Sequence, residues 1–160
     1  MHARQFDLAV QQARKTYDLD PNHVTAQNWI CHTYNAKGMY SESLSISEKR
    51  VQSFYPLLSA QSYSYAKSGR RQDAEAVIKR WKEAEKTTYI SNYLVADTYA
   101  ALGEKDLGFA ELEKAYQAND WFLQRIKTDP FLDPLRDDPR FKDLVHRVGS
   151  ARIVRFTIVG

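Results

Sequence analysis

The chain has 160 residues, of which 43% are hydrophobic and 27% charged, and its 23 basic and 20 acidic residues leave a formal net charge of +3. This balance argues against the strong basicity of proteins that bind nucleic acid or anionic membranes. No apolar run reaches the roughly 18 to 20 residues of a membrane-spanning helix, and the charged N-terminus lacks the apolar core of a secretory signal. We therefore expect a cytoplasmic protein of one domain with no membrane contact.

Helical spacing of apolar residues begins near the N-terminus and extends through most of the chain. Residues 3–18 form the first such stretch, and Asp20-Pro21 ends it. Further helices are predicted at about 24–37, 40–53, 56–69, 71–86, 89–102 and 105–118. Pro56 begins one of them, because proline disfavours helical geometry in the residue before it and suits the first helical position.

Three tyrosines, here called the ladder tyrosines, share a pattern that repeats along these helices. Tyr34, Tyr65 and Tyr99 are each followed four residues later by a glycine and nine residues later by a small residue. The second and third are 34 residues apart, and the first and second are 31 apart. Small residues let adjacent helices approach closely, and a tyrosine ring fills the gap above them. Glycine can take the left-handed conformation that ends a helix, so the pattern predicts a repeated helical hairpin.

This pattern resembles the tetratricopeptide repeat, whose 34-residue unit is a helix–turn–helix hairpin. The resemblance implies an all-α superhelix with half a repeat at 3–22, repeats at about 24–54, 55–88 and 89–120, and a C-terminal helical cap at 121–149. Together these form one domain over 1–149, followed by a tail at 150–160. The repeats and their ending also resemble the C-terminal repeat arrays of bacterial multidomain signalling and regulatory proteins.

The cap departs from the repeat and holds three Asp-Pro pairs, which begin at Asp129, Asp133 and Asp138. Aspartate accepts hydrogen bonds at a helix start and proline suits the first helical position, so each pair is expected to open a short helix or turn. Apolar residues of this stretch would fold back over the last hairpin and cover the end of the array. The tail is β-branched and aromatic, which fits a short strand or a frayed end. The frayed end is favoured because a lone strand has little stability.

No arrangement of residues in the sequence points to catalysis. The chain has no G-x-S-x-G motif, no phosphate-binding loop and no histidine pair at metal-ligand spacing. Its one cysteine, Cys31, occupies a close-packing position of its repeat and is expected to be a buried structural thiol. We therefore expect a protein that is not an enzyme and that has no cofactor or metal.

The family resemblance also implies where a partner would bind. In tetratricopeptide proteins, partners bind a concave groove that is lined by the first helix of each hairpin. Transferred by repeat position, this places seven residues in the groove: Asn28, His32, Asn35, Ser59, Tyr63, Tyr93 and Asp97. Polar groups mixed with aromatic rings suit an extended peptide or a helix. The expected function is a scaffold that binds a peptide or helix of a partner protein, in bacterial signalling or regulation. The alternative for these seven residues is an ordinary solvated surface.

Two other functions stay open at this point. The array begins with a lone second helix, whose unpaired apolar face would suit self-association into a homo-oligomer. The third repeat carries basic residues that would suit nucleic acid, although interleaved acidic residues favour a solvated helix face. These basic residues are Arg70, Arg71, Lys79, Arg80, Lys82 and Lys86.

Overall fold

The computed structural model describes residues 3–50 and 55–157, and within these ranges the chain is all-α and contains no strand. The α-helices are α1 (Ala3–Leu19), α2 (Val24–Ala36), α3 (Tyr40–Ser47), α4 (Tyr55–Lys67), α5 (Arg71–Ala84), α6 (Asn92–Leu102), α7 (Lys105–Gln117) and α8 (Pro139–Thr157). Short 3₁₀ helices occur at Glu48–Arg50, Trp121–Arg125 and Pro130–Leu135. The all-α prediction is confirmed. None of the helices described is both long and apolar enough to span a membrane.

The chain divides into two compact units, residues 1–80 and 81–160, and the boundary falls within α5. In the first unit, α2 packs against α1, α3 and α4, and α3 also packs against α4. In the second unit, α6 packs against α7 and the last 3₁₀ helix, and α7 packs against α8. Each unit therefore has helix–helix contacts of its own. The expectation of one domain over 1–149 stays a prediction.

The tyrosine–glycine pattern forms the same helix end three times. Gly38, Gly69 and Gly103 all have φ between 73° and 80°, the left-handed conformation that glycine adopts at low cost. In each case the N–H of the residue after the glycine donates to the carbonyl oxygen of the ladder tyrosine, over 2.8 to 2.9 Å. This closure satisfies a carbonyl that the helix end would otherwise leave unpaired. The role predicted for the three glycines is confirmed.

The small residues of the pattern lie at close helix contacts. Ser43 and Ala74 are fully buried, and a Cβ added to Gly108 would lie 3.4 Å from the Leu135 side chain. Cys31 is fully buried as well, and burial raises the pKa of its thiol to about 12. A thiol with so high a pKa stays protonated at neutral pH and is a poor nucleophile. The prediction of a buried structural thiol is confirmed.

Residues 120–138, here called the capping segment, connect α7 to α8 and contain the last two 3₁₀ helices. The apolar residues of this segment and of α8 pack with residues of α6 and α7 in a single cluster. Those at most 9% exposed include Leu132, Leu135, Phe141, Leu144 and Val148. Phe131 of the capping segment is buried as well. The expected cap over the α6–α7 hairpin is thus present in the second unit.

Two of the three Asp-Pro pairs begin a helix as predicted. Asp129 accepts from the N–H of Phe131 over 3.1 Å, and Asp138 accepts from the N–H of Arg140 over 3.0 Å at the start of α8. The third prediction is wrong, because Asp133-Pro134 lies inside the 3₁₀ helix Pro130–Leu135 and opens no new element. That short helix tolerates the proline because its i to i+3 hydrogen bonds come from other N–H groups.

The register of α8 on α7 continues the 34-residue period. Arg140 Nη1 lies 2.8 Å from Asp106 Oδ1, and Arg147 Nη2 lies 2.7 Å from Glu113 Oε2. Both pairs are 34 residues apart in sequence. The Arg140 guanidinium also lies 4.2 Å from the centre of the Phe109 ring. In sequence, α8 therefore lies 34 residues after α7, where the second helix of another hairpin would be. The capping segment occupies the place of the first helix of that hairpin.

The last helix crosses the boundary expected between cap and tail. α8 continues to Thr157, so residues 150–157 are helical and form neither the strand nor the frayed end considered from the sequence. Extending an existing helix fixes one residue per new hydrogen bond, whereas a new strand must find a partner. Residues 158–160 lie outside the described residues, as do residues 51–53 of the helix expected at 40–53.

Candidate functional site

The seven predicted groove residues fall into two groups by exposure. Asn28 and His32 of α2 are half-buried and reach the surface. The other five are at most 7% exposed: Asn35, Ser59, Tyr63, Tyr93 and Asp97. The structure corrects the expectation of an open groove at these five positions, because their side chains are enclosed in packing. Whether they ever contact a partner stays a prediction.

Asn35 joins α2 to α4 inside the first unit. Its Nδ2 donates to the carbonyl oxygen of Ala60 over 2.7 Å, and its Oδ1 accepts from the hydroxyl of Ser64 over 2.6 Å. The Ser64 hydroxyl also lies 2.8 Å from the hydroxyl of Ser43. Leaving such buried groups without partners would cost about 1 to 3 kcal/mol each, so this network fixes where the two helices meet. The role of Asn35 in the described structure is positioning.

Tyr93 and Asp97 lie one turn apart on α6, and Tyr93 bonds to the capping segment. The Tyr93 hydroxyl donates to Asp129 Oδ2 over 3.0 Å, and Arg125 Nη2 lies 2.8 Å from the same oxygen. Burial and the nearby carboxylates raise the pKa of the Tyr93 hydroxyl, so it remains a hydrogen-bond donor. With the N–H of Phe131 on its other oxygen, the buried Asp129 carboxylate is well satisfied.

Asp120 holds the beginning of the capping segment to the start of α6. Its Oδ2 accepts from the hydroxyl of Ser91 over 2.7 Å, and its Oδ1 accepts from the N–H of Phe122 over 2.9 Å. Ser91 in turn accepts from the N–H of Leu94 and caps α6. Two helix starts are therefore tied together through one carboxylate.

The Asp97 carboxyl lacks such partners. It is 1% exposed, and neither of its oxygens has a hydrogen-bond partner among the described residues. Burial raises the pKa of Asp97 well above its ordinary range, the charge of Asp129 adds to this effect, and the charge of Arg125 opposes it. We call Asp97, Asp120, Asp129, Arg125 and Tyr93 the aspartate cluster. Across the described ranges, no group of three or more His, Cys, Asp or Glu is arranged to hold a metal ion.

The accessible part of the predicted site lies on α2 in the first unit. Trp29 is 54% exposed and stands next to Asn28, one residue along the helix. Asn28 is half-buried, and its Oδ1 is enclosed and has no hydrogen-bond partner in the part of the chain that the structure describes. A cleft of about 260 Å³ between α1 and α2 is lined by Gln12, Ala13, Thr16, His23, Thr25, Ala26 and Trp29. We call Asn28, Trp29, His32 and this cleft the α2 face, and it is the candidate functional site.

Local sequence features build the α2 face. His23 caps α2, since its Nδ1 accepts from the N–H of Ala26 over 3.2 Å, and this fixes the wall of the cleft. The Gln27 side chain donates to the carbonyl oxygen of Pro21 over 2.6 Å and holds the preceding turn. Trp29 was not among the residues predicted from the sequence. The sequence feature that could have identified Trp29 is its place next to Asn28, a predicted groove residue. Tryptophan is a residue type enriched at binding hot spots.

Most of the basic residues considered for nucleic-acid binding are already paired with acidic side chains. Pairing on a helix surface reduces the positive charge that remains for phosphate groups. The pairs are Arg70 with Glu48 and Asp73, Arg71 with Glu75, Lys82 with Glu111, and Lys86 with Glu83. This face is therefore a weak candidate for nucleic acid.

Models of protein families, curated proteins and solved structures were each compared with this chain, and none gives a significant match. The candidate site therefore rests on its own geometry.

Proposed function

We propose that the chain is a protein-interaction module, a scaffold of tetratricopeptide type that binds a peptide or helix of a partner protein through the α2 face. The observation that carries the proposal is Trp29, whose side chain is 54% exposed beside a cleft with predominantly uncharged walls. Burying a large aromatic side chain is a major source of binding energy, and tryptophan is enriched among residues that dominate interfaces.

Three local features support the tetratricopeptide type. The glycine turn after each ladder tyrosine is the same, the small residues lie at close helix contacts, and the ion pairs between α7 and α8 keep the 34-residue spacing. In addition, α2 packs against α4, and both are first helices of predicted hairpins, as in a stacked array. The setting in bacterial signalling or regulation, and in the cytoplasm, rests on the sequence alone.

The proposed role is binding rather than catalysis. The aspartate cluster uses its hydrogen bonds to hold the capping segment on α6. The α2 face offers one tryptophan together with amide and imidazole side chains, which suit recognition of a side chain and a backbone.

A peptide-display selection on the full chain, followed by affinity measurement on variants, tests the proposal. Trp29→Ala is expected to weaken the selected peptides by about 30-fold or more, which corresponds to a hot-spot loss of about 2 kcal/mol. Trp121→Ala is the matched control, because Trp121 is also an exposed tryptophan, at 74%, but belongs to the second unit. Equal affinities for Trp29→Ala and the wild type would refute the assignment of the α2 face.

Self-association is a second candidate, favoured by exposed leucines on α1. Leu8 is 56% exposed and lies one turn before Gln12, which lines the cleft, and Leu19 is 89% exposed. Such apolar side chains would be covered in a homo-oligomer. Light scattering should then show a mass that rises with concentration in the wild type, and a monomer at all concentrations would contradict it.

A further inference from the structure

We propose that docking of the capping segment onto α6 is coupled to the uptake of one proton by the Asp97 carboxyl. This coupling is a property of the second unit and does not depend on the proposed partner binding. It rests on the composition of the aspartate cluster and on the different surroundings of its three carboxyl groups.

Two of the three carboxylates are compensated. Asp129 has an ion pair with Arg125 at 2.8 Å and accepts from the Tyr93 hydroxyl. Asp120 accepts from a hydroxyl and from a backbone N–H. The third, Asp97, is 1% exposed and has no donor among the residues described.

The charged groups around α6 leave Asp97 without a counter-ion of its own. The capping segment contributes Asp129, Arg125 and Asp120, and the positive charge of Arg125 is already directed at Asp129. From α7, the other helix packed on α6, Glu111 accepts from Asn92 and is paired with Lys82 and Lys114. The distances of these contacts are 2.8, 2.6 and 3.0 Å. An ionised Asp97 would therefore add an uncompensated negative charge in a buried site, which is strongly unfavourable.

Protonation removes this charge, so docking of the capping segment should weaken as the pH rises. The pKa of Asp97 is raised in the folded protein, mainly by burial, above the value of about 3.9 that an aspartate has in an unfolded chain. The docked state therefore binds a proton that the undocked state releases near neutral pH. Docking is strongest at low pH and weakens as the pH rises above about 4 and through the raised pKa of Asp97.

Hydrogen exchange of the full chain, followed by NMR, measures docking locally. The N–H of Tyr93 on α6 donates to Asp120 of the capping segment. Within the segment, the Phe122 ring stacks on Tyr93 and Phe131 is buried, so the protection factors of the N–H groups of Tyr93, Phe122 and Phe131 report how often the segment opens. In the wild type, the opening equilibrium is expected to increase between pH 5 and pH 7, by up to about tenfold per pH unit for one proton. In Asp97→Asn, whose amide cannot ionise, this increase should disappear. Asp137→Asn, at an exposed position of the same segment, should keep the wild-type pH dependence.

Infrared spectroscopy of the wild type, labelled with ¹³C-aspartate, provides a measurement that needs no variant to fold. The expected result at about pH 6 is the C=O stretch of a protonated carboxylic acid, which Asp97→Asn should lack. Absence of this band at pH 6 would overturn the proposal, even if Asp97→Asn failed to fold. A band accompanied by pH-independent protection of Phe122 and Phe131 in the wild type would also overturn it, because the proton would then not be coupled to docking.

Discussion

The two compact units place equivalent positions of their first helices in different surroundings. Asn28 and Tyr93 both stand six residues before a ladder tyrosine, and His32 and Asp97 both stand two residues before one. In the first unit, Asn28 and His32 reach the surface. In the second unit, Tyr93 and Asp97 are at most 1% exposed. A position in a repeat therefore determines the helix face on which a residue lies, and the elements packed on that face determine whether a partner can reach it.

The capping segment accounts for part of this difference. Its apolar residues pack against α6 and α7, and its aspartates bind Ser91 and Tyr93. Asn35 shows that packing within the first unit can have the same effect, since its amide is used between α2 and α4. Burial at these positions thus follows from tertiary packing, which particular hydrogen bonds accompany at Tyr93 and Asn35.

The largest effect is expected from removing the apolar anchor of the capping segment. Leu132 is fully buried, so Leu132→Ala should lower the free energy of unfolding by about 2 to 5 kcal/mol through lost burial and the cavity left behind. Leu107→Ala, at a position 47% exposed, should change it by no more than about 0.5 kcal/mol. Urea denaturation of the full chain measures both. Equal values for the two variants would show that the capping segment does not stabilise the second unit.

A smaller loss of stability is expected when the hydrogen bond between α6 and the capping segment is removed and the packing is kept. Tyr93→Phe removes the hydroxyl that donates to the Asp129 carboxylate and should cost about 1.5 to 3 kcal/mol of unfolding free energy. Tyr116→Phe is the control, because Tyr116 is a half-buried tyrosine of the same unit whose ring lies 4.8 Å from the Arg147 guanidinium. A Tyr93→Phe protein as stable as the wild type would mean that Arg125 and Phe131 satisfy Asp129 without the hydroxyl.

Features that depend on neighbours in sequence could be predicted from the sequence. The helix ends at Gly38, Gly69 and Gly103 follow from local backbone preferences, and so does the start of α8 at Asp138-Pro139. Asp129 was recognised in the same way as a helix start. Its bond to Tyr93 joins residues 36 apart in sequence, and no local preference specifies it.

The exposure of the site residues could not be predicted from the sequence. Trp29 and Trp81 are both helical tryptophans, yet one is 54% and the other 1% exposed. That difference depends on which elements pack over each residue, and tertiary contacts carry this information. The tetratricopeptide resemblance placed Asn28 and Asn35 in the same groove. It assigns each residue to a position in the repeat but does not say which elements pack on that position.

Asn28 and Asn35 provide the sharpest test of the comparison between surface and enclosed positions, because both are asparagines of α2. Asn35→Ala removes two buried hydrogen bonds, one to the carbonyl oxygen of Ala60 and one from the hydroxyl of Ser64, and should cost about 1 to 3 kcal/mol of unfolding free energy. Asn28→Ala removes a side chain whose Oδ1 accepts no hydrogen bond within the described ranges, so it should change stability by no more than about 0.5 kcal/mol. Its expected effect is on peptide affinity instead, which should fall while the urea midpoint stays constant. If Asn28→Ala destabilised the chain as much as Asn35→Ala, both positions would be structural, and the α2 face would retain only Trp29 and His32 as recognition residues.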